Sequence, residues 1–150
     1  MPDVRIREAF SDADWQAVRA VRQRVFVEEQ ACPPEDEWDA YDAPERRGRN
    51  VHHLLATADG RGVGAARWRA VDGAAKLERF AVLPEARGSG TGRALVAAAL
   101  AAARHAGHGR FVLHAQAYLQ RFYQGFGFVA EGEPFDEVGI EHVKMTLTDA

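Results

Sequence analysis

The sequence predicts a single mixed α/β domain: a central, mostly antiparallel sheet flanked by helices. Three observations carry that prediction. Apolar residues recur with a period near two in several short segments and with a helical period in two longer ones. The segments succeed one another as strand, helix, a run of strands joined by tight turns, helix, strand, helix and strands. The 150 residues, 47% of them apolar and 27% charged, suffice for one buried core. No repeat, low-complexity tract or internal linker divides them, so residues 1–150 read as one domain.

Residues 4–10 alternate apolar and charged side chains, as a half-buried strand does. Ser11 then stands as an N-cap with Asp14 three residues on. Trp15, Val18, Val21, Val25 and Phe26 recur at helical spacing and give an amphipathic helix to about Glu29. Residues 32–50 are polar and carry Pro33, Pro34 and Pro44; they read as a long, partly helical connection of a length that often carries function. Residues 51–58 and 63–71 read as strands joined by Asp59-Gly60-Arg61-Gly62, and Asp72-Gly73 is a hairpin signal into a strand over 75–83, ended by Pro84. Residues 91–106, rich in alanine and leucine, form a helix closed by Gly107. A short strand over 111–115, a short helix over 119–125 and strands over 128–130 and 142–147 complete the chain.

The bulk numbers exclude several classes. A net charge of −3 argues against a nucleic-acid binder working by general electrostatics. No apolar run approaches the roughly 20 residues that cross a bilayer, and the first residues have no basic, apolar and cleavable leader, so a cytoplasmic setting is expected. Cys32 is the single cysteine, which rules out an internal disulfide. The histidines have no metal-ligand spacing, so no metal is expected. Arg46, Arg47 and Arg49 read as a solvated loop. Exposed sheet edges leave room for a homodimer.

The segment LERFAVLPEARGSGTGRALV carries the most chemistry. An apolar strand (Phe80, Ala81, Val82) runs into a turn with glycine at 88, 90 and 92 and then directly into a helix. Glycine admits positive φ and lets a ligand approach the backbone. The first N–H groups of the helix lack internal partners at the positive end of its dipole, which makes an anion site. A P-loop would need Lys followed by Ser/Thr where Arg93 and Ala94 stand, and a dinucleotide fingerprint would need Gly or Ala at Arg93. What remains is Arg-x-x-Gly-x-Gly at Arg87, Gly90 and Gly92, about 36 residues before an aromatic-Tyr-x-x-x-Gly-Phe signature at Phe122, Tyr123, Gly127 and Phe128.

With both signatures in this order the sequence resembles the GNAT superfamily of N-acetyltransferases. The resemblance implies a GNAT-like domain that transfers an acetyl group from acetyl-coenzyme A to a primary amine by direct attack. It implies backbone contacts to the coenzyme A pyrophosphate from Gly88, Ser89, Gly90, Thr91, Gly92 and Arg93, with positive charge from Arg87 and Arg93. The main chain of Phe80, Ala81 and Val82 would pair with the pantetheine arm like an added strand, and Gln116 and Phe122 would complete the cofactor site. Gln116 stands where many members have an asparagine.

Chemistry gives Tyr123 a role. Coenzyme A leaves as a thiolate, and a tyrosine hydroxyl, protonated at neutral pH, donates a proton to that sulfur as general acid. The alternative is a core stripe of Leu119, Phe122, Tyr123 and Phe126. The base stays open among three readings: Glu78, expected by alternation to share a face with Phe80 and Val82; His114, with a suitable intrinsic pKa; and a polar cluster of Glu137 and His142 lining the acceptor site. Residues 25–42 (VFVEEQACPPEDEWDAYD) and 132–145 (GEPFDEVGIEHVKM) resemble the ElaA-like branch of the superfamily. The acids Glu35, Asp36, Glu37, Asp39 and Asp42 would either favour a cationic amine or form a solvated loop. The competing functional reading is a non-catalytic acyl-coenzyme A binding or sensing module.

Overall fold

The computed structural model describes residues 3–150. Strand β1 (Val4–Glu8) leads into helix α1 (Asp12–Arg22), which runs on as a wider π-helix over Gln23–Glu29. After α2 (Pro34–Glu37) come β2 (Val51–Ala58), β3 (Arg61–Val71), β4 (Ala74–Val82) and α3 (Thr91–His105). Then follow β5 (Arg110–Gln116), α4 (Gln120–Gln124), β6 (Val129–Ala130), β7 (Phe135–Glu137) and β8 (Ile140–Thr148). The strands make one sheet in the order β1-β2-β3-β4-β5-β8-β6, with β7 also on β8. Every pairing is antiparallel except β4 with β5, so the predicted mixed, mostly antiparallel sheet is the one the chain builds.

Local chemistry explains the elements. The Ser11 hydroxyl accepts from the Asp14 N–H at 3.1 Å and starts α1 as expected. Asp59-Gly60 and Asp72-Gly73 both take positive φ at both positions (51° and 77°, 51° and 80°), the geometry of two-residue hairpins. The first of these turns is shorter than the four residues expected. Arg61 and Gly62 therefore join the ladder, opposite Ala58 and Thr57. The β7–β8 hairpin escaped the sequence reading because Val138 occupies the first turn position, at φ 47°. A β-branched residue there is strained and is no turn signal.

Two apolar clusters cover the two faces of the sheet. Trp15, Val18 and Val21 of α1 pack on Leu55, Ala65, Ala81 and Leu83. Leu95, Val96, Ala99, Leu100 and Ala103 of α3 pack with Leu54, Ala66, Trp68 and Leu77. The neighbours Leu54 and Leu55 go to opposite clusters, as strand alternation requires. Helix α3 sits close: a Cβ on Gly64 would meet Leu95 Cδ1 at 2.8 Å.

The 32–50 connection is not a solvated acidic loop. Arg22 and Arg67, each 1% exposed, reach into it. Arg22 binds Glu37 at 2.6 Å and Asp42 at 2.7 Å, while Arg67 binds Asp39 at 2.8 Å, Asp42 at 2.9 Å and Glu78 at 2.9 Å. Burial alone would raise the Asp42 pKa, but the hydrogen bond and charge of Arg22, with the charge of Arg67, outweigh it and hold Asp42 at about 2. Arg47 is likewise no solvated cation; it binds Asp12 at 3.2 Å and covers Trp15.

Candidate active site

The site begins where the sheet comes apart. Strands β4 and β5 pair only at Ala75 with Phe111 and Lys76 with Val112. β5 stays on β8 as far as Gln116 opposite His142, and β4 stays on β3 as far as Val82 opposite Gly64, so two intact strand pairs part from each other. A bulge marks the departure. On β3, Ala65 pairs with Ala81 and Arg67 with Glu78, so Arg79 and Phe80 together oppose Ala66. Arg79 has φ 58°, a conformation uncommon outside glycine and frequent where strain serves a site.

The bulge corrects one expectation. It resets the alternation, so Glu78 shares a face with Ala81 and not with Phe80 and Val82. On that face Glu78 meets three cations: Arg69 at 2.6 Å, Arg67 at 2.9 Å and Lys76 at 3.7 Å. Burial raises its pKa, yet the charge of Arg67 and the hydrogen bond and charge of Arg69 win, leaving the carboxyl below its ordinary range.

A cavity of ≈ 930 Å³ fills the gap between the two strands. Its walls include Phe80, Ala81 and Val82 from β4 and Leu113, His114 and Gln116 from β5. Phe122 and Tyr123 line it from α4, and Glu137, Val138 and His142 from the β7–β8 hairpin. Arg87, Gly88, Gly90, Thr91, Gly92 and Arg93 line it at the start of α3. Of the residues expected at a cofactor site, Ser89 alone is not on the wall; its hydroxyl donates to the Ala86 carbonyl at 2.6 Å and lies 3.0 Å from Thr91 Oγ1, so it shapes the turn.

The turn combines two positive-φ glycines with a helix start. Gly88 and Gly90 have φ 81° and 86°, and a Cβ on either would stand in open space at the cavity mouth. Gly90 caps α3 without a side-chain hydrogen bond. The N–H groups of Thr91, Gly92 and Arg93 precede the first intrahelical bond, from Ala94 N–H to Gly90 C=O at 2.9 Å. Arg93 lies over the rings of Phe122 and Phe126, at 6.0 and 5.7 Å from their centroids. The Arg87 charge is already matched: its guanidinium binds Glu29 at 2.6 and 2.7 Å and the Val82 carbonyl at 3.0 Å. Arg87 thus ties the end of the π-helix to the turn.

Tyr123 is both core and wall. Its ring lies 5.1 Å from Phe122 and 6.2 Å from both Phe80 and Phe128. Burial, helped by Tyr118, pushes its pKa well above the usual tyrosine value, so the hydroxyl keeps its proton. Across the cavity, Glu137 stands between two histidines, 3.2 Å from His114 Nδ1 and 3.6 Å from His142 Nε2. The His114 hydrogen bond is the first cause holding the Glu137 carboxyl low. The ring of Phe135 packs edge-on against His114 at 5.0 Å and stacked against His142 at 6.0 Å. Gln116 donates to the Gln30 side chain at 3.0 Å, joining β5 to the end of the π-helix. Gln30, Lys76, Arg79 and Val138 also line the cavity, without a sequence signal that marks them out. Cys32 lines it too, but burial raises its thiol pKa, which keeps it protonated. Among the described residues no group of three His, Cys, Asp or Glu side chains is placed to hold a metal ion, and no helix is long and apolar enough to cross a membrane.

Comparison with known proteins gives this geometry a context. Residues 20–149 match the acetyltransferase (GNAT) domain family. The uncharacterized N-acetyltransferase YjcF of Bacillus subtilis is 36% identical over 126 residues, 83% of this chain and 86% of its own. The crystal structure of an acyl-CoA N-acyltransferase from Pseudomonas aeruginosa superposes with a TM-score of 0.83 at 32% identity, covering 97% of this chain and 99% of that one. Escherichia coli ElaA superposes equally well, with a TM-score of 0.83 at 30% identity over 97% and 99% of the two chains.

Proposed function

The chain belongs to the GNAT acetyltransferase family, and we propose that it is an N-acetyltransferase using acetyl-coenzyme A as donor and a primary amine as acceptor. One observation carries the reading. The β4–β5 ladder stops after two pairs, and the gap it leaves joins an uncapped helix start to a protonated, buried tyrosine. An extended arm fits that gap as an added strand on the Phe80–Val82 backbone. A pyrophosphate fits the N–H groups from Gly88 to Arg93, with Arg93 supplying the unmatched cation.

Acetyl-coenzyme A, when bound, supplies an activated acyl carbon. The chain supplies the rest. The bulge at Arg79 and Phe80 spreads the strands, the glycine turn anchors the anion, and the Tyr123 hydroxyl donates its proton to the departing sulfur. Glu78 is a poor base, because three cations already stabilise its charged form. We assign it instead to holding Arg67 and Arg69 under the cavity floor. Glu37, Asp39 and Asp42 are matched by arginines, which leaves Asp36 and Glu137 as the acids on the wall without an Arg or Lys ion pair among the described residues. We place the work in the cytoplasm, where Cys32 stays a thiol.

Thiol release from acetyl-coenzyme A across a panel of primary amines tests the proposal. It predicts acceleration by at least one amine. Tight coenzyme A binding with no amine-dependent release would instead make the chain a binding module.

A further inference from the structure

We propose that His114 is the general base that deprotonates the acceptor amine, with Glu137 as the residue that positions it. The assignment rests on the amine-acetylation reading above and adds to it the group that accepts the proton.

Hydrogen bonding fixes the roles of the ring nitrogens. A carboxylate can only accept, so His114 Nδ1, 3.2 Å from Glu137 Oε1, carries the proton and donates it. The neutral ring then holds its lone pair on Nε2, as an imidazole base must. His114 lines the cavity with 29% of its side chain exposed, against 6% for His142. His142 Nδ1 donates to the Ile140 carbonyl at 2.7 Å, which locks that ring to the hairpin backbone. Its Nε2, 3.6 Å from Glu137 Oε2, is too far for a hydrogen bond and serves to fence the carboxylate. Phe135 packs against both rings and restricts their rotation. The strained Val138, next to Glu137, is the kind of backbone outlier that accumulates at working sites.

The surroundings of His114 are charged from several elements. Lys76 and Glu78 stand on β4, Glu137 on β7, and His142 and Lys144 on β8, with Lys144 turned to Glu131 at 3.4 Å. Glu137 is the carboxylate in contact with the ring, whereas Glu78 is occupied by three cations.

The step balances as follows. The acceptor ammonium gives one proton to His114 Nε2, which passes it to solvent. The freed nitrogen lone pair forms the C–N bond. The C–S bond breaks with its electron pair on sulfur, and Tyr123 protonates that sulfur. The second proton lost by the new amide nitrogen restores the tyrosine through water. The sum is ammonium plus thioester giving amide, thiol and one released proton.

Two measurements test the assignment. The first takes the amine that wild type turns over fastest and compares pH–rate profiles. His114→Gln should lower kcat by about 100-fold or more and abolish the acidic limb, with coenzyme A affinity unchanged within about twofold. Glu137→Ala should lower kcat without changing KM for acetyl-coenzyme A. Retention of rate and limb in His114→Gln, or loss of the limb in His142→Gln alone, would overturn the assignment and leave the acetylation reading standing. No turnover of any amine by wild type would instead sink the acetylation reading itself. The second measurement needs no turnover: ring 15N shifts of the wild-type protein should show His114 as the Nδ1–H form, and Glu137→Ala should erase that preference. An Nε2–H ring in wild type would overturn the proposal.

Discussion

Tyr123 and His53 are both buried, and both are held in the neutral form by that burial. For Tyr123 the consequence is chemical. Tyr123→Phe keeps the ring that packs on Phe80, Phe122 and Phe128 and removes only the proton donor. Turnover should fall by about 10²-fold while coenzyme A affinity, read by calorimetry, stays within about twofold; an unaltered rate would return Tyr123 to a packing role. For His53 the consequence is stability. Its ring packs on Trp15 at 4.8 Å and its Nδ1 has no hydrogen-bond partner among the described residues. Burial, reinforced by the charge of Arg22, lowers its pKa to about 4. In the unfolded chain the value returns to about 6.5, so as pH falls the unfolded chain binds the proton first. The stabilisation is complete above about 6.5 and is lost between there and about 4, on the order of 3 kcal/mol. His53→Phe should flatten that slope in urea unfolding at about pH 7 and about pH 5; an unchanged slope would contradict it. The Tyr123 motif was legible in the chain because it is local. The partners of Glu78 were not, because the bulge at Arg79 that turns its face has no sequence signature, and Arg67 and Arg69 come from another strand.

Elements were legible where one residue type decides the backbone. The hairpin at Asp72-Gly73, the Ser11 cap and the glycine turn before α3 all follow from local preferences. The β7–β8 hairpin did not, since tertiary pairing with β8 forces Val138 into φ 47°. Val138→Asn should therefore raise stability by about 1 kcal/mol, measured as a shift in the unfolding midpoint; a lower midpoint would mean that the valine side chain earns its place by packing. The glycine turn makes the opposite prediction. A Cβ at Gly90 meets nothing, so Gly90→Glu should cost only the left-handed penalty of about 1–2 kcal/mol in folding. Its carboxylate would stand at the cradle and should weaken coenzyme A binding about tenfold or more. Affinity equal to wild type would remove the turn from the cofactor site.

At the scale of the whole molecule, the sheet is continuous from β1 to β4 and from β5 to β6, and the two parts meet at only two residue pairs. The apolar pattern announced the strands but not this opening, because a parted ladder leaves alternation on each strand intact. The polar stretch 32–50 showed its partly helical character in the sequence but not its ion pairs. Arg22 and Arg67, on distant segments, gather Glu37, Asp39 and Asp42, the first two of which line the cavity. Breaking that set by Arg67→Met should destabilise the fold by about 3–5 kcal/mol, because Asp39, Asp42 and Glu78 lose a shared partner. The most direct measurement of cofactor placement is backbone amide hydrogen exchange with and without coenzyme A. Binding in the gap should protect the amides of residues 88–93 and 80–82 together, leaving β1 and β2 as they were. Protection confined to other segments, or none at saturating coenzyme A, would contradict it.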